Sequence, residues 1–138
     1  MCEEDKLFLI FGSIKKKIYK LINSRIKEYN VNVTEVIYLL IINEHPLISF
    51  KDLTKMADFD KGMTTKVLIS LKCKKLVNNS IKGISLTKSG VILSKKLINE
   101  FNILKKEILG NVDKEDKELL VSKINELIKE GEYPRNLW

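Results

Sequence analysis

Residues 49–96 read SFKDLTKMADFDKGMTTKVLISLKCKKLVNNSIKGISLTKSGVILSKK. Up to residue 97 this segment carries eleven basic and three acidic side chains, whereas the segments on either side are nearly balanced in charge. The formal net charge of +7 is therefore concentrated in the middle third of the chain. A localised basic surface is what phosphate binding requires, because each neutralised phosphate releases condensed counterions. This charge distribution predicts a module that binds nucleic acid.

The same stretch contains a series of start and stop signals for short elements. Ser49 and Asp52 have the spacing of a capping box, which predicts a short helix to about Ala57. The turn Asp58-Phe59-Asp60 then separates it from a helix predicted over 61–75. Two strand-like runs follow, 76–80 and 84–87, joined as a hairpin around Lys82-Gly83. Helix, turn, helix and hairpin in this order predict a winged helix–turn–helix.

Helical patterns flank this lobe on both sides. Apolar residues recur every three or four positions from Leu7 to Tyr29, which predicts a long amphipathic helix that ends at Asn30 and Asn32. Thr34 is the predicted N-cap of a second helix, which His45-Pro46 ends. After the hairpin we predict a fifth helix from residue 87 to the Gly110-Asn111 stop and a sixth over 113–130. The fold class is thus mainly α with a small β-hairpin, and we expect one domain over 1–138 with the lobe at 34–97.

Composition argues against several other classes of protein. The longest uncharged apolar run, Val36 to Ile42, is much shorter than the roughly 18–20 residues that a membrane span needs. The acidic N-terminus is unlike a signal peptide, and two cysteines fit a reducing cytosol, so we expect a cytoplasmic protein. A single histidine and the lack of C-x-x-C or H-x-x-H spacing favour neither an enzyme nor a metal site, and no cofactor is expected.

The predicted fourth helix supplies the residues expected to meet double-stranded DNA. Thr65 and Lys66 on the outward side of this helix are the best candidates for contact with base edges in the major groove. At 100° per residue the opposite side is formed by Met63, Thr64, Val67, Leu68 and Leu71. Free N–H groups at the start of the third helix favour phosphate. The full set of candidate DNA contacts is Ser49, Lys51, Lys61, Gly62, Thr64, Thr65, Lys66, Ile69, Lys72 and Lys82.

Two segments resemble motifs of the MarR family. Residues 60–67 (DKGMTTKV), followed by Leu71 and Lys74-Lys75-Leu76-Val77, are similar to the family's D-K-G-x-x-T-R…L-x-x-x-G-L-V run. Residues 84–90 (ISLTKSG) resemble its post-wing L-T-x-x-G. The resemblance implies a homodimeric transcriptional regulator in which 1–30 and 98–138 form the dimerisation region. It also implies a pseudo-palindromic operator, usually repression, and often relief by a small ligand.

The wing departs from the family pattern. The family's wing usually carries D-x-R, whose arginine enters the minor groove, whereas residues 78–83 contain no arginine and offer only Lys82. Ile69 stands where the family often has a polar residue, and it is expected either to touch a thymine methyl group or to face a protein. A small-molecule effector, where there is one, should bind between the first, second and fifth helices, with Phe11, Tyr38 and His45 as candidate lining residues.

A second function remains open at this point. A winged-helix protein-interaction module that binds DNA weakly and without sequence preference would also have a reduced wing and an exposed Ile69. A dimeric ligand sensor acting through a protein partner is a third. Weak, sequence-independent binding and a recovered protein partner would distinguish these alternatives from a sequence-specific regulator.

Overall fold

A computed structural model describes residues 1–128; the end of the predicted sixth helix and of the predicted dimerisation region, 129–138, lies outside the described residues. The described part is mostly helical with one two-stranded antiparallel sheet, as predicted. Its elements are α1 (Glu3–Ile26), α2 (Val33–Glu44), α3 (Phe50–Ala57), α4 (Lys61–Cys73), β1 (Val77–Ser80), β2 (Gly83–Leu86), α5 (Lys88–Leu109) and α6 (Lys114–Ile128).

The link between α1 and α2 differs in detail from the prediction. A short 3₁₀ turn follows α1, and Asn30 ends it in the left-handed conformation with φ 57°. The N-cap of α2 is Asn32 and not Thr34: Asn32 Oδ1 accepts from Glu35 N at 2.8 Å, and Glu35 Oε1 accepts from Asn32 N at 3.0 Å. The prediction of Thr34 was wrong because a glutamate three residues after Asn32 completes a capping box there.

The helices of the helix–turn–helix begin where the sequence predicts, and α4 ends at Cys73, two residues before the predicted end at 75. Ser49 Oγ accepts a hydrogen bond from Asp52 N at 3.0 Å and so caps α3. Asp58, with φ 58°, ends α3, and Asp60 Oδ1 accepts from Met63 N at 2.7 Å to cap α4. These local bonds satisfy N–H groups that the first turn of each helix leaves free.

The hairpin is fastened to the loop before α3. Its strands pair from Val77↔Leu86 to Ser80↔Gly83, which leaves Ile81 and Lys82 as the two-residue turn. Ile84 N donates to Ile48 O at 2.8 Å, so one residue of the preceding loop extends the sheet. Gly83 has φ +135°, and a Cβ there would lie 2.2 Å from the carbonyl oxygen of Leu47, so only glycine fits.

Thr87 and Gly90 connect the end of α4 to the start of α5. The Thr87 hydroxyl donates to Lys75 O at 2.7 Å and accepts from Gly90 N at 3.0 Å. Thr87 N donates to Leu76 O at 3.0 Å, and a Cβ on Gly90 would lie 2.1 Å from the same oxygen. The L-T-x-x-G segment is therefore the joint that fixes α5 against the recognition lobe.

A single hydrophobic cluster lies around α2. This helix packs against α3, α4, α5 and β2, and it has only a narrow exposed side. By contrast, α6 makes no extensive contact with any other described element. The largest side chains that are fully buried are Tyr38, Leu39, Ile42, Leu53, Leu71, Ile84 and Leu97.

No helix within residues 1–128 is both long enough and apolar enough to cross a membrane.

Candidate nucleic-acid interface

The outward side of α4 carries exposed lysines set among uncharged residues. Thr64, Val67, Leu68 and Leu71 are buried on the opposite side of the helix. Within residues 1–128, none of the lysines on the outward side forms an ion pair. The exposed side chains and backbone, referred to below as the recognition face, belong to Lys61, Gly62, Thr65, Lys66, Ile69 and Lys72.

Thr64 does not belong to the recognition face, and its prediction as a DNA contact was wrong. Its side chain is 0 % exposed. Thr64 Oγ1 lies 2.9 Å from Tyr38 Oη and 2.9 Å from Thr54 Oγ1, which joins α4 to α2 and to α3. Thr64 is directed inward because it lies one residue before the exposed Thr65, about 100° away around the helix. Its role is to fix the angle at which α4 is presented.

Ser49 and Lys51 extend the basic surface to the start of α3. Both residues are exposed. Ser49 uses its oxygen as the helix cap, which leaves its hydroxyl hydrogen free to donate to an anion. Lys55 is also exposed on the same helix. The structure thus places the two predicted phosphate contacts of α3 on the surface, next to the first free N–H groups of that helix.

The tip of the hairpin carries one cation and one apolar side chain. Lys82 and Ile81 form the turn and are both exposed. Asn78, Asn79 and Ser80 on β1 are exposed as well. The wing therefore presents amides, a hydroxyl, an isoleucine and a single lysine, and it lacks the planar guanidinium that favours a narrow minor groove.

One lysine of the middle segment is not available to DNA. Lys74 Nζ donates to both carboxylate oxygens of Glu35, at 3.0 and 2.9 Å, and to Asn30 O at 2.7 Å. Ser70 Oγ donates to Glu35 Oε2 at 2.8 Å. Glu35 is only 3 % exposed, and its partner is 39 residues away in sequence, so helix patterns alone did not reveal the pair.

The surroundings of Glu35 keep it ionised. Burial by itself raises the pKa of this carboxyl group. The hydrogen bonds from Lys74, Ser70 and the Asn32 backbone, together with the charge of Lys74, outweigh burial and lower the pKa below its usual value. The result is a charged link between the N-terminus of α2 and the C-terminus of α4.

The predicted effector residues do not come together. Tyr38 is fully buried, stacks on Phe59 with ring centroids 6.0 Å apart, and bonds to Thr64. Burial raises the pKa of Tyr38, although the bond to Thr64 opposes this shift and the charge of Asp60 adds to it. Phe11 is exposed on α1, and His45 is exposed at the end of α2. The prediction for Tyr38 was wrong because its ring and hydroxyl are both used within the core.

Among residues 1–128 no three His, Cys, Asp or Glu side chains are arranged to hold a metal ion.

Known structures share this architecture. No protein-family model matches the chain, and no curated protein does. A MepR–DNA complex from Staphylococcus aureus is 15 % identical with a TM-score of 0.83 over 94 % of this chain and 99 % of that one. A MarR protein from Peptoclostridium difficile is 20 % identical, with a TM-score of 0.83 over 91 % and 87 %. Staphylococcus aureus MarR in complex with salicylate and kanamycin is 18 % identical, with a TM-score of 0.80 over 90 % and 89 %. The chain has the winged-helix fold of MarR-family regulators.

Proposed function

We propose that this protein is a sequence-specific, double-stranded DNA-binding transcriptional regulator. It acts as a homodimer on a pseudo-palindromic operator, as a repressor. The observation that carries the proposal is the recognition face of α4, whose lysines have no carboxylate partner among the described residues. Unpaired cations on one helix face provide the phosphate contacts that position a protein on a duplex.

The geometry of the lobe suits insertion into the major groove. A groove about 12 Å wide admits one α-helix, and the outer side of α4 is exposed and carries lysines without a carboxylate partner among the described residues. A Cβ added at Gly62 in its first turn would meet only the Asp60 side chain, at 3.4 Å, and the absence of that Cβ lets the backbone approach a phosphate or a base closely. The start of α3 and the wing lie on either side of α4 in the chain and supply Lys51 and Lys82.

Apolar surface on the outer helices supports the homodimer. Phe8 on α1 is 80 % exposed, and α6 is likewise lined with exposed apolar side chains. Contiguous apolar surface of this kind marks an interface with another protein. A second copy of the chain would cover it and would set two α4 helices side by side, as a pseudo-palindromic operator requires. The most exposed apolar side chains of the two helices are Phe8, Leu9, Ile10, Leu119, Leu120, Val121 and Leu127.

Two of the similar structures are consistent with this proposal. MepR has been solved bound to DNA, and Staphylococcus aureus MarR has been solved with salicylate. A small-molecule effector and a cytoplasmic location are therefore part of the proposal. The effector site does not include Tyr38, which is buried, whereas Phe11 and His45 are exposed.

Replacing Lys66 tests the role of α4 directly. Lys66→Ala should weaken binding to the protein's own promoter fragment several-fold and, where the lysine meets a phosphate, reduce the slope of log K against log salt by about 1. The control is Lys106→Ala, which removes the same charge from an exposed position on α5. Fluorescence anisotropy across a salt titration measures both quantities.

The outcome separates the two functions. Equal losses in the two variants would mean that α4 is not the DNA-contacting helix. Weak binding of the wild type to all duplexes alike, together with a protein partner held through the recognition face, would favour the protein-interaction module. Tight binding to the promoter fragment that only Lys66→Ala weakens would support the regulator.

A further inference from the structure

The recognition helix lacks the side chains that usually read bases by paired hydrogen bonds. Residues 61–73, KGMTTKVLISLKC, contain no Arg, Asn, Gln, Asp or Glu. Arginine recognises guanine in the major groove through a bidentate pair, and Asn or Gln recognises adenine in the same way. Lysine, which the helix does contain, can donate to guanine but lacks the planar fork of arginine, so other groups must supply most of the sequence preference of α4.

Thr65 presents mainly its methyl group to the outside. Its hydroxyl donates to Lys61 O at 2.9 Å, one turn back along the helix. The single hydroxyl hydrogen is thus used within α4, and the oxygen retains only its capacity as an acceptor. The residue itself is exposed. The outward group of Thr65 that remains without a bond is its γ-methyl.

Ile69 continues the same apolar line. It lies four residues after Thr65, hence slightly more than one turn further along the same side of α4. Its side chain is 60 % exposed, and it is the exposed large apolar side chain of this helix. The methyl groups of Thr65 and Ile69 therefore lie one above the other along the middle of the recognition face.

The charges around this apolar line favour a polyanion as its partner. Lys66 and Lys72 flank Ile69 within one turn on either side, and both are exposed. The carboxylate nearest in sequence, Asp60, is the helix cap and is held by Met63 N. An apolar group set among lysines fits a surface that offers phosphates and a methyl group together. In the major groove that methyl group is the C5-methyl of thymine.

We propose that the protein selects its operator by apolar contact between Thr65 and Ile69 and the C5-methyl groups of thymine. The half-site opposite the middle of α4 is thus defined by the positions of thymines, while the lysines supply affinity without sequence preference. This inference rests on the proposed function, since it names the feature of the DNA that the same helix reads.

Replacing thymine by uracil tests the contact without altering base pairing. Duplexes are first selected from a random pool with the wild-type protein and then synthesised with deoxyuridine at thymine positions of one half-site. Binding of the wild type should fall about fourfold for each methyl group that is lost from a contact, the factor expected for one buried methylene. Deoxyuridine in the flanking DNA should leave binding unchanged.

Variants of the two residues identify the protein side of the contact. Ile69→Ala should bind the thymine duplex about fourfold more weakly per half-site. At the thymine that Ile69 is proposed to contact, the variant should bind thymine and uracil duplexes equally well. Thr65→Ser removes the methyl group, keeps the hydroxyl bond to Lys61 O, and should lose sensitivity at its own position. The control is Ile81→Ala, the same truncation at the hairpin turn, which should retain full sensitivity to uracil. Circular dichroism verifies that each variant is folded.

Each result has a distinct meaning. Equal binding of wild type to thymine and uracil duplexes would overturn the methyl contact and leave the proposed function standing. If replacing thymine by uracil weakens binding of both variants as much as it weakens binding of the wild type, the loss arises from a property of the DNA itself. That result would overturn the role of Thr65 and Ile69. Failure to enrich any duplex would overturn the proposed function itself, and the inference with it. Loss of the uracil effect in Ile69→Ala and Thr65→Ser alone supports the inference.

Discussion

Lys75 has a backbone conformation that residues with a side chain rarely adopt. Its φ is 61°, in the left-handed region. Lys75 N donates to Lys72 O and Leu76 N to Leu71 O, the pair of bonds that closes a helix in the Schellman motif. Glycine is usual at this position, and it is also the residue in the L-x-x-x-G-L-V run that this segment resembles. The lobe therefore holds some strain at the end of its recognition helix.

Lys75→Gly should stabilise the protein. The left-handed conformation costs a residue with a Cβ about 1–2 kcal/mol, and glycine avoids this cost. Glycine also has more conformational freedom in the unfolded chain, which offsets about 0.5–1 kcal/mol of the gain. We expect the free energy of unfolding in urea to rise by about 1 kcal/mol. Lys66→Gly, in the right-handed interior of the same helix, is the control and should lower it by about 1 kcal/mol. A loss of stability in both variants would show that the conformation of Lys75 carries no strain.

Local sequence patterns predicted the roles of some single residues and not of others. Ser49 was predicted correctly as a cap, because a cap bonds to a backbone group three residues away and local spacing reveals it. Asp60 was predicted as a turn residue and Thr87 as the start of a helix, and the structure shows that both cap their helices. Thr64 and Tyr38 were misassigned to DNA and to an effector. Their hydroxyl groups pair across 26 residues, and no local pattern contains that information.

The helices were predicted well as elements and less well at their connections. The apolar period and the breakers at Asn30, Pro46 and Gly110 gave the order and number of helices in residues 1–128. The contribution of Ile48 to the sheet was missed because an isolated bridging residue has no alternating pattern of its own. The link from Glu35 to Lys74 was missed for the related reason that it joins two helices that are distant in sequence.

The link between α2 and α4 makes stability depend on pH. Burial raises the pKa of Glu35, but Lys74, Ser70 and the Asn32 backbone together lower it below its usual value in the folded state. The stabilisation that the Glu35 carboxylate contributes is therefore fully present above the unfolded-state pKa and is lost as the pH falls through the folded-state pKa. Glu35→Gln should lower the free energy of unfolding at pH 7 by about 1–3 kcal/mol. The difference between wild type and variant should shrink steadily as the pH falls below about 4.5.

Urea titrations at a series of pH values measure this difference. The matched control is Glu44→Gln, which removes an exposed carboxylate from the other end of α2 and should alter the free energy of unfolding by less than about 0.5 kcal/mol. If the difference in the free energy of unfolding between wild type and Glu35→Gln stays constant from pH 7 to pH 3, the charge of Glu35 does not stabilise the protein.

At the scale of the whole molecule, α1 and α6 are incompletely packed within residues 1–128. Leu7, Phe11, Ile14, Ile18 and Leu21 repeat every four and three residues along α1 and are all exposed. This is the heptad spacing by which helices from two chains pack together. The other end of α1 is tied to its own subunit, where Arg25 bonds to Glu100 at 3.5 Å and to Glu107, and Tyr29 Oη donates to Glu100 at 3.2 Å. The end of α1 is thus fixed to α5, while the apolar side of the rest of α1 is exposed within residues 1–128, where the proposed second copy of the chain would cover it.

The packing of α6 makes the dimer testable at one position. Ile124 lies between Leu120 and Leu127 on the apolar side of α6, and all three are exposed in the single subunit. Ile124→Glu would bury a charge in the proposed interface, where an unpaired carboxylate is strongly unfavourable. Sedimentation equilibrium should therefore show a monomer, or a dimer at least about tenfold weaker. Ser122→Glu places the same charge 200° away around the helix and should remain a dimer.

DNA binding extends the same test to the function of the dimer. A monomer offers one recognition helix, so Ile124→Glu should lose most of its affinity for a two-half-site duplex while keeping the weak affinity of wild type for a single half-site. Linked half-sites bind a dimer more tightly because the second contact forms at high effective concentration. If Ile124→Glu stays dimeric and binds as tightly as Ser122→Glu, the interface lies elsewhere on the molecule. If it becomes monomeric and yet binds the full duplex as the wild type does, the two lobes do not act together on one operator.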